Sequence, residues 1–347
     1  MNFASAFSAH IIDLALPLPE RQLISRLRQA AQASVARAQR DGIVAGIGDD
    51  CSILRLPPRH DALVTTDFSL EGIHFRREWH PPESVGHRCL TRGLSDIAAM
   101  GGKPIAAFLS LALPSKLPQA WVDGFMSGLL ALARRFGAVL AGGDTASSPG
   151  GVLADITVLG SIPKGGAILR SNARPGDRIF VTGALGGSAA TLDLLYSKNR
   201  KLNPGLFPAH FFPTPRIAVG RILRQKSTAS SMIDISDGLS TDLSHICEES
   251  SVGAQINEQA VPHATVGKPS GMVALNFALH GGDDYELLFT ARPHTHVPRS
   301  VAGVPITEIG EITRRKGMSL VRENGRRSEL WPGGWQHFAS SSKSRER

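Results

Sequence analysis

The sequence predicts a two-domain α/β (α+β) protein, and three observations carry that expectation. The chain has 347 residues, 42% of them hydrophobic, which is enough for one large core or two ordinary ones, and two is the commoner outcome. Short β-type apolar runs alternate with stretches of helical period along most of the chain. Near the middle, Pro163-Lys164-Gly165-Gly166 reads as a linker between two such series. The expected layout is an N-terminal extension at 1–19, α/β domains at 20–163 and 164–338, and a polar tail at 339–347.

Residues 1–19 show no period and contain Pro17 and Pro19. From Glu20 to Arg40, Leu23, Ile24, Leu27, Ala30, Ala31 and Val35 recur at helical spacing with arginines opposite. Gly46 to Phe75 holds two apolar runs, Ile53-Leu54 and Leu63-Val64, close to Asp49, Asp50 and Asp67. These look like strands whose ends present carboxylates at one rim of a sheet. Leu90, Leu94, Ile97 and Ala98 mark a helix ended by Gly101-Gly102, and it carries Asp96. A buried strand is expected at Ile105–Leu113, a helix from Pro118 to Phe136, and a strand at Ala138–Leu140 running into Gly142-Gly143-Asp144-Thr145. Val152–Ile162 supplies another strand.

In the second half, a strand at Arg178–Thr182 enters the glycine-rich turn Gly183 to Ala190. That turn matches neither the phosphate loop nor a full GxGxxG, and tight strand-to-helix packing is its other reading. Phe207–Pro215 reads as a proline-broken loop and Arg216–Leu223 as helix. Met232 to Leu239 repeats the acidic strand end with Asp234 and Asp237, the latter placed to cap the following helix. Gly281-Gly282-Asp283-Asp284-Tyr285-Glu286 leads into the strand Leu287–Phe289, Ile306–Ile312 makes a late strand, and Trp331 to Phe338 is aromatic.

The formal charge of +8 is concentrated toward the two ends of the chain, away from the Gly/Asp motifs. Without an aromatic-interleaved basic platform it predicts no nucleic-acid partner. No apolar run approaches the roughly 18 residues of a membrane span, so a cytoplasmic protein is expected. Cys51, Cys89 and Cys247 are far apart and odd in number, which argues against a disulfide framework or a zinc site. The acidic clusters need cations or protons between them: two carboxylates about 4 Å apart repel by about 4 kcal/mol at an effective dielectric of about 20. Carboxylates and the Thr65 and Thr66 hydroxyls are hard donors that suit magnesium.

Six motifs then carry a resemblance. Gly46-Ile47-Gly48-Asp49-Asp50, Thr65-Thr66-Asp67 with Glu71 to Phe75, Leu94 to Gly101, Gly142 to Thr145, Ile233 to Gly238, and Gly281 to Phe289 occur in order and at spacings similar to those of the thiamine-monophosphate kinase family. The resemblance implies the fold of the aminoimidazole ribonucleotide synthetase superfamily, with an N-terminal sheet pairing across a homodimer. It implies magnesium-dependent phosphorylation of thiamine monophosphate to thiamine diphosphate with ATP as co-substrate. Asp50, Thr65, Thr66, Asp67, Asp96, Asp144, Asp234 and Asp237 fall at its metal positions, and Asp67, Asp96 and Asp234 are the ones taken as catalytic. Gly143, Asp144, Arg170 and Ser236 fall where ATP is handled, and His74, Asp283 and Trp335 where the thiamine substrate is held. The family usually has Glu where this chain has Asp283, which sets the carboxylate back by one methylene. Another ATP-using superfamily enzyme such as aminoimidazole ribonucleotide synthetase, or a non-catalytic nucleotide sensor, are the alternatives.

Overall fold

The computed structural model describes residues 18–38, 42–47, 51–198, 202–267 and 270–338. Gly48, Asp49, Asp50, most of the N-terminal extension and the polar tail lie outside the described residues.

In the first half, α1 (Glu20–Ala38) precedes a short ribbon of β1 (Ile43–Ala45) and β2 (Ile53–Leu54). Then follow β3 (His60–Leu70), α2 (Pro82–Ala99), β4 (Lys103–Pro114), α3 (Gln119–Phe136), β5 (Val139–Ser148) and β6 (Leu153–Pro163). The sheet order is β3-β6-β4-β5, with only the β4–β5 pair parallel. The expectation that Asp67 ends a strand is corrected: β3 pairs with β6 along its whole length, from His60 opposite Pro163 to Leu70 opposite Leu153. Its period of two puts Thr65, Asp67 and buried Ser69 on one face and exposed Val64, Thr66 and Phe68 on the other. Ile53-Leu54 is likewise no member of this sheet, because it pairs with β1.

The helices cover the Asp67 face. Pro82 starts α2, where a missing N–H costs nothing, and Gly101, at φ 74°, takes the chain out of it. The crossing of α2 and α3 is close because glycines face each other's backbone. A Cβ on Gly86 would lie 1.9 Å from the Phe125 carbonyl oxygen, and one on Gly128 would lie 1.9 Å from that of Glu83.

The second half comprises β7 (Arg178–Thr182), α4 (Gly187–Lys198), α5 (Pro208–Phe211), α6 (Ile217–Gln225), β8 (Ser231–Ile235), α7 (Leu239–Ser250) and β9 (Gly253–Asn257). It continues through β10 (Thr265–Val266), β11 (Gly271–Met272), α8 (Leu275–His280), β12 (Glu286–Ala291), β13 (Ser300–Val301), β14 (Val304–Thr313), β15 (Gly317–Val321) and β16 (Arg327–Glu329). The main order is β16-β15-β9-β14-β7-β12-β8, mostly antiparallel. The expected loop at Phe207–Pro215 contains α5, started by Pro208 at its first position. Between the halves, α2 packs against α5, α6 and β8 as well as against its own sheet. Glu286 on β12, 4% exposed, receives both Arg216 and the Thr182 hydroxyl and so pins α6 to the second sheet.

Replacing Gly128 with Ala is expected to cost about 1–3 kcal/mol, because backbone cannot retreat as a side-chain tip can. Urea unfolding should show a lower midpoint at unchanged slope; an unshifted midpoint would mean that the helices do not meet this closely.

Candidate active site

A cavity of about 850 Å³ opens where the two halves meet. Its walls come from β3 and the following loop, α2, α4, α5, the ends of β8 and β12, and the aromatic segment near the C-terminus.

One end is acidic. Asp67 from β3, Asp96 from α2, and Asp234 and Asp237 from the end of β8 line it. The Thr65 hydroxyl donates to Asp96, and Ser95 Oγ donates to Asp234 at 2.6 Å. Burial, reinforced by the charge of Asp96, pushes Asp67 up to about 7. Asp96 is raised by burial against the opposing hydrogen bond from Thr65. Burial and then the charge of Asp96 raise fully enclosed Asp234, and burial raises Asp237. Such a cluster is a donor set for a hard divalent cation.

The other end is cationic and aromatic. Arg88 and Arg92 stand one turn apart on α2 and bind the same carboxylate: Arg88 Nη2 lies 2.8 Å from Asp283 Oδ2, and Arg92 Nη2 lies 3.3 Å from Oδ1. The Tyr285 hydroxyl donates to Oδ1 at 2.6 Å. Burial alone would raise Asp283, but the two guanidiniums outweigh it and hold the carboxyl below the usual range. The backbone is left-handed at Asp283 (φ 63°) and Tyr285 (φ 52°), an arrangement fixed by their N–H groups, which donate to Ser236 and Ile235 carbonyls at 2.8 Å. Beyond them, Trp79 and Tyr196 meet edge to face at 4.7 Å beneath Arg76. His80 and His210 touch at 3.0 Å through Nε2, and Ser188 Oγ lies 2.9 Å from His210 Nδ1. Burial and the charge of Arg88 lower both histidines, His80 to about 4, so this polar chain is neutral.

His74 accepts the Leu70 N–H at Nδ1, 3.0 Å away. Burial and then Arg92 push it down to about 4, so the neutral ring carries its proton on Nε2. Trp335 and His337 close the wall. The Trp335 backbone N–H donates to the Asp237 carbonyl at 3.1 Å, and the His337 ring sits 5.6 Å from His74.

The expected site residues divide. Thr66, Asp67, His74, Asp96, Asp234, Ser236, Asp237, Asp283 and Trp335 line one cavity, with Thr65 bonded to Asp96. The Thr66 hydroxyl, however, is turned to Asp155 at 2.8 Å. Arg170 lies in a single 3₁₀ turn outside the lining, close enough that its charge lowers Asp96. Gly143 and Asp144 sit on β5, at the opposite edge of the sheet from β3, about 14 Å away at ordinary strand spacing. Gly143 is needed there by packing, since a Cβ would lie 1.9 Å from the Leu109 carbonyl oxygen. Asp50 is outside the described residues.

One capping expectation changes. Asp242, not Asp237, accepts the N–H groups of Ser236, Asp237 and Gly238, at 3.0–3.1 Å, which leaves Asp237 to the cavity. The glycine-rich turn after β7 gives its Gly186 N–H to Asp284 at 2.7 Å, so a carboxylate of the chain itself occupies that helix start. Arg88, Arg92, Tyr285, Trp79, His80, Ser188, Tyr196 and His210 were not expected. Spacing held a clue to two of them: Arg88, Arg92 and Asp96 recur every fourth residue on a helix whose other residues, Glu83 and His87 apart, are apolar or small.

Residues 48–162 match the model of AIR synthase related protein, N-terminal domain, and residues 174–323 that of its C-terminal domain. A thiamine-monophosphate kinase of Salmonella typhimurium is 37% identical over 315 residues, covering 88% of this chain and 95% of that protein. The crystal structure of thiamine-monophosphate kinase from Stenotrophomonas maltophilia superimposes with a TM-score of 0.73 at 32% identity, over 88% of this chain and 96% of that one. A structure described as AaThiL complexed with AMPPCP and TMP gives 0.71 at 29% identity, over 96% and 100%.

The raised Asp67 carboxyl makes a stability prediction. Its ordinary value is 3.8 and its folded value about 7. Below the first value both states hold the proton and the native state bears no penalty. Stability then falls as pH rises through the window and stays low above the second value. At about 1.4 kcal/mol per pH unit, the loss is on the order of 4 kcal/mol. Asp67→Asn should therefore raise the melting temperature of the metal-free protein at about pH 8 and leave it nearly unchanged at about pH 4. An equal effect at both would refute the assignment.

Proposed function

The chain belongs to the thiamine-monophosphate kinase family, and from that premise we propose how its cavity divides the work. It phosphorylates thiamine monophosphate to thiamine diphosphate with ATP as the phosphoryl donor. The observation that carries this reading is one cavity with four clustered carboxylates at one end and an aromatic, cationic chamber at the other.

In our reading Asp67, Asp96, Asp234 and Asp237, with Thr65, hold magnesium, whose contribution when bound is to neutralise the charge of the ATP phosphates; Thr66, Asp50 and Asp144 are assigned to magnesium on family membership and not on the geometry of this cavity. The first four supply hard oxygen donors whose burial raises each carboxyl above its ordinary value, so a bound cation would relieve the cost of ionising them. A phosphate oxygen of the substrate attacks the γ-phosphorus of ATP; that O–P bond forms as the bond to the bridging oxygen breaks, and ADP leaves. The monoester is anionic near neutral pH, so no side chain has to take a proton from it. Catalysis then rests on alignment. His74 offers an Nε2–H donor to the thiamine moiety and Trp335 a face for it. Asp283 fixes the arginines beside it. Gly143, Asp144, Arg170 and Ser236 serve ATP, a role that rests on family membership and, for Gly143 and Asp144, not on closeness to Asp67.

We place the domain division after Pro163, where β6 ends and Gly165 turns the chain. The reaction is assigned to the cytoplasm, where ATP is plentiful; among the described residues no helix is long and apolar enough to cross a membrane. A homodimer is proposed through the face of the first sheet that the helices leave open. Val64 and Phe68 there are 64% and 56% exposed on one face of β3, apolar surface that a second copy of the sheet would cover.

Incubation with ATP, magnesium and thiamine monophosphate should yield thiamine diphosphate and ADP, with none formed without magnesium and none from unphosphorylated thiamine. ATP binding with no product from the monophosphate would sink the kinase reading. Sedimentation should give a dimer for the native chain and a monomer for Phe68→Asp; a native monomer removes the dimer.

A further inference from the structure

We infer that Arg92 receives the phosphate group of the acceptor substrate and is the residue that separates thiamine monophosphate from thiamine. This rests on the kinase reading above and assigns one recognition task within that cavity.

Arg88, Arg92 and Asp96 form a stripe along α2, each about 6 Å from the next, and all three line the cavity. Arg88 belongs to the aromatic chamber: it bonds Asp283 at 2.8 Å and the His210 carbonyl at 2.5 Å, and it is 4% exposed. Asp96 belongs to the acidic end. Arg92 stands between them. Its charge acts on Asp67, Asp96 and Asp237 at one end and on His74, Asp283 and Tyr285 at the other. An acceptor lying along this cavity with its ring in the aromatic chamber must set its phosphate at that junction. An anionic phosphate there faces four carboxylates, so it needs a cation of its own. A guanidinium carries five N–H donors in a planar fork that matches two phosphate oxygens at once. Arg92 gives Nη2 to Asp283 at a long 3.3 Å, and its side chain is 15% exposed. Asp283, drawn to Arg88 and Tyr285 by shorter bonds, acts as the brace that aims the fork.

Trp79 and Trp335 both line the cavity, so quenching of tryptophan fluorescence reports binding without turnover. Thiamine monophosphate and thiamine are each titrated into the native chain, Arg92→Gln and Arg92→Lys. The native chain is expected to prefer the monophosphate. Arg92→Gln should lower that preference about 10- to 100-fold, as loss of a charge-assisted contact does, while thiamine binds within about threefold of its native affinity. Arg92→Lys, which keeps the charge and loses the fork, should fall between the two. A preference unchanged in Arg92→Gln, or equal weakening of both ligands, overturns the inference while leaving the kinase reading intact. A native chain that binds neither ligand overturns both.

Discussion

Helix α2 is buried along nearly its whole length and yet carries Arg88, Arg92 and Asp96, and the rest of the structure answers to that constraint. A charge so placed is tolerable only with a partner. Asp283 at the start of β12 supplies one for both arginines, and Thr65 on β3 supplies a donor for Asp96. Ser95 on the same helix reaches Asp234 at the end of β8. The site is thus a consequence of how a charged helix is seated between two sheets. Each bond that satisfies α2 also fixes a cavity residue.

Seating the helix so tightly requires removing side chains where backbone meets backbone. Gly86 and Gly128 do this between α2 and α3; Gly220 on α6 does it against Ala98, where a Cβ would come within 2.0 Å of the carbonyl oxygen. These glycines lie far from any motif, but a shift of α2 by a fraction of an ångström would move both arginines and Asp96 together. The left-handed backbone at Asp283 and Tyr285 costs on the order of 1–3 kcal/mol per residue. The acidic end adds its own cost through carboxylates that resist ionisation. The chain gives up stability at the cavity and recovers it in buried cores, one of which runs through both halves from Leu90 and Leu129 to Phe180 and Phe289.

Much of this was legible in the sequence because the carboxylates announce themselves beside apolar runs. Asp67, Asp96, Asp234 and Asp237 come from three separate segments, β3, α2 and the end of β8, and still face one cavity. Strand boundaries were harder to read: nothing in Thr65-Thr66-Asp67 says that pairing with β6 continues through Leu70. Nor can local sequence say which of two aspartates caps α7, since Asp237 and Asp242 are both in range and only the turn at Gly238, at φ 118°, decides. The aromatic chamber was invisible for a different reason. Trp79, His80, Ser188, Tyr196 and His210 lie on three elements up to about 130 residues apart, each unremarkable alone, and only tertiary packing brings them together.

Asp283 shows how one methylene can redistribute a site's tasks. A longer carboxylate at this position would reach further toward the cavity, whereas this one is bonded by Arg88, Arg92 and the Tyr285 hydroxyl. With three donors on its two oxygens and a carboxyl held below the usual range, it stays ionised throughout the neutral range and has little need of a further partner. Its influence on a guest therefore passes through the groups that it orients. Arg88 holds α5 through the His210 carbonyl, and with it the histidine pair at the back of the chamber. Arg92 stands over the boundary with the acidic end. One carboxylate thus braces both halves of the cavity, one through each arginine.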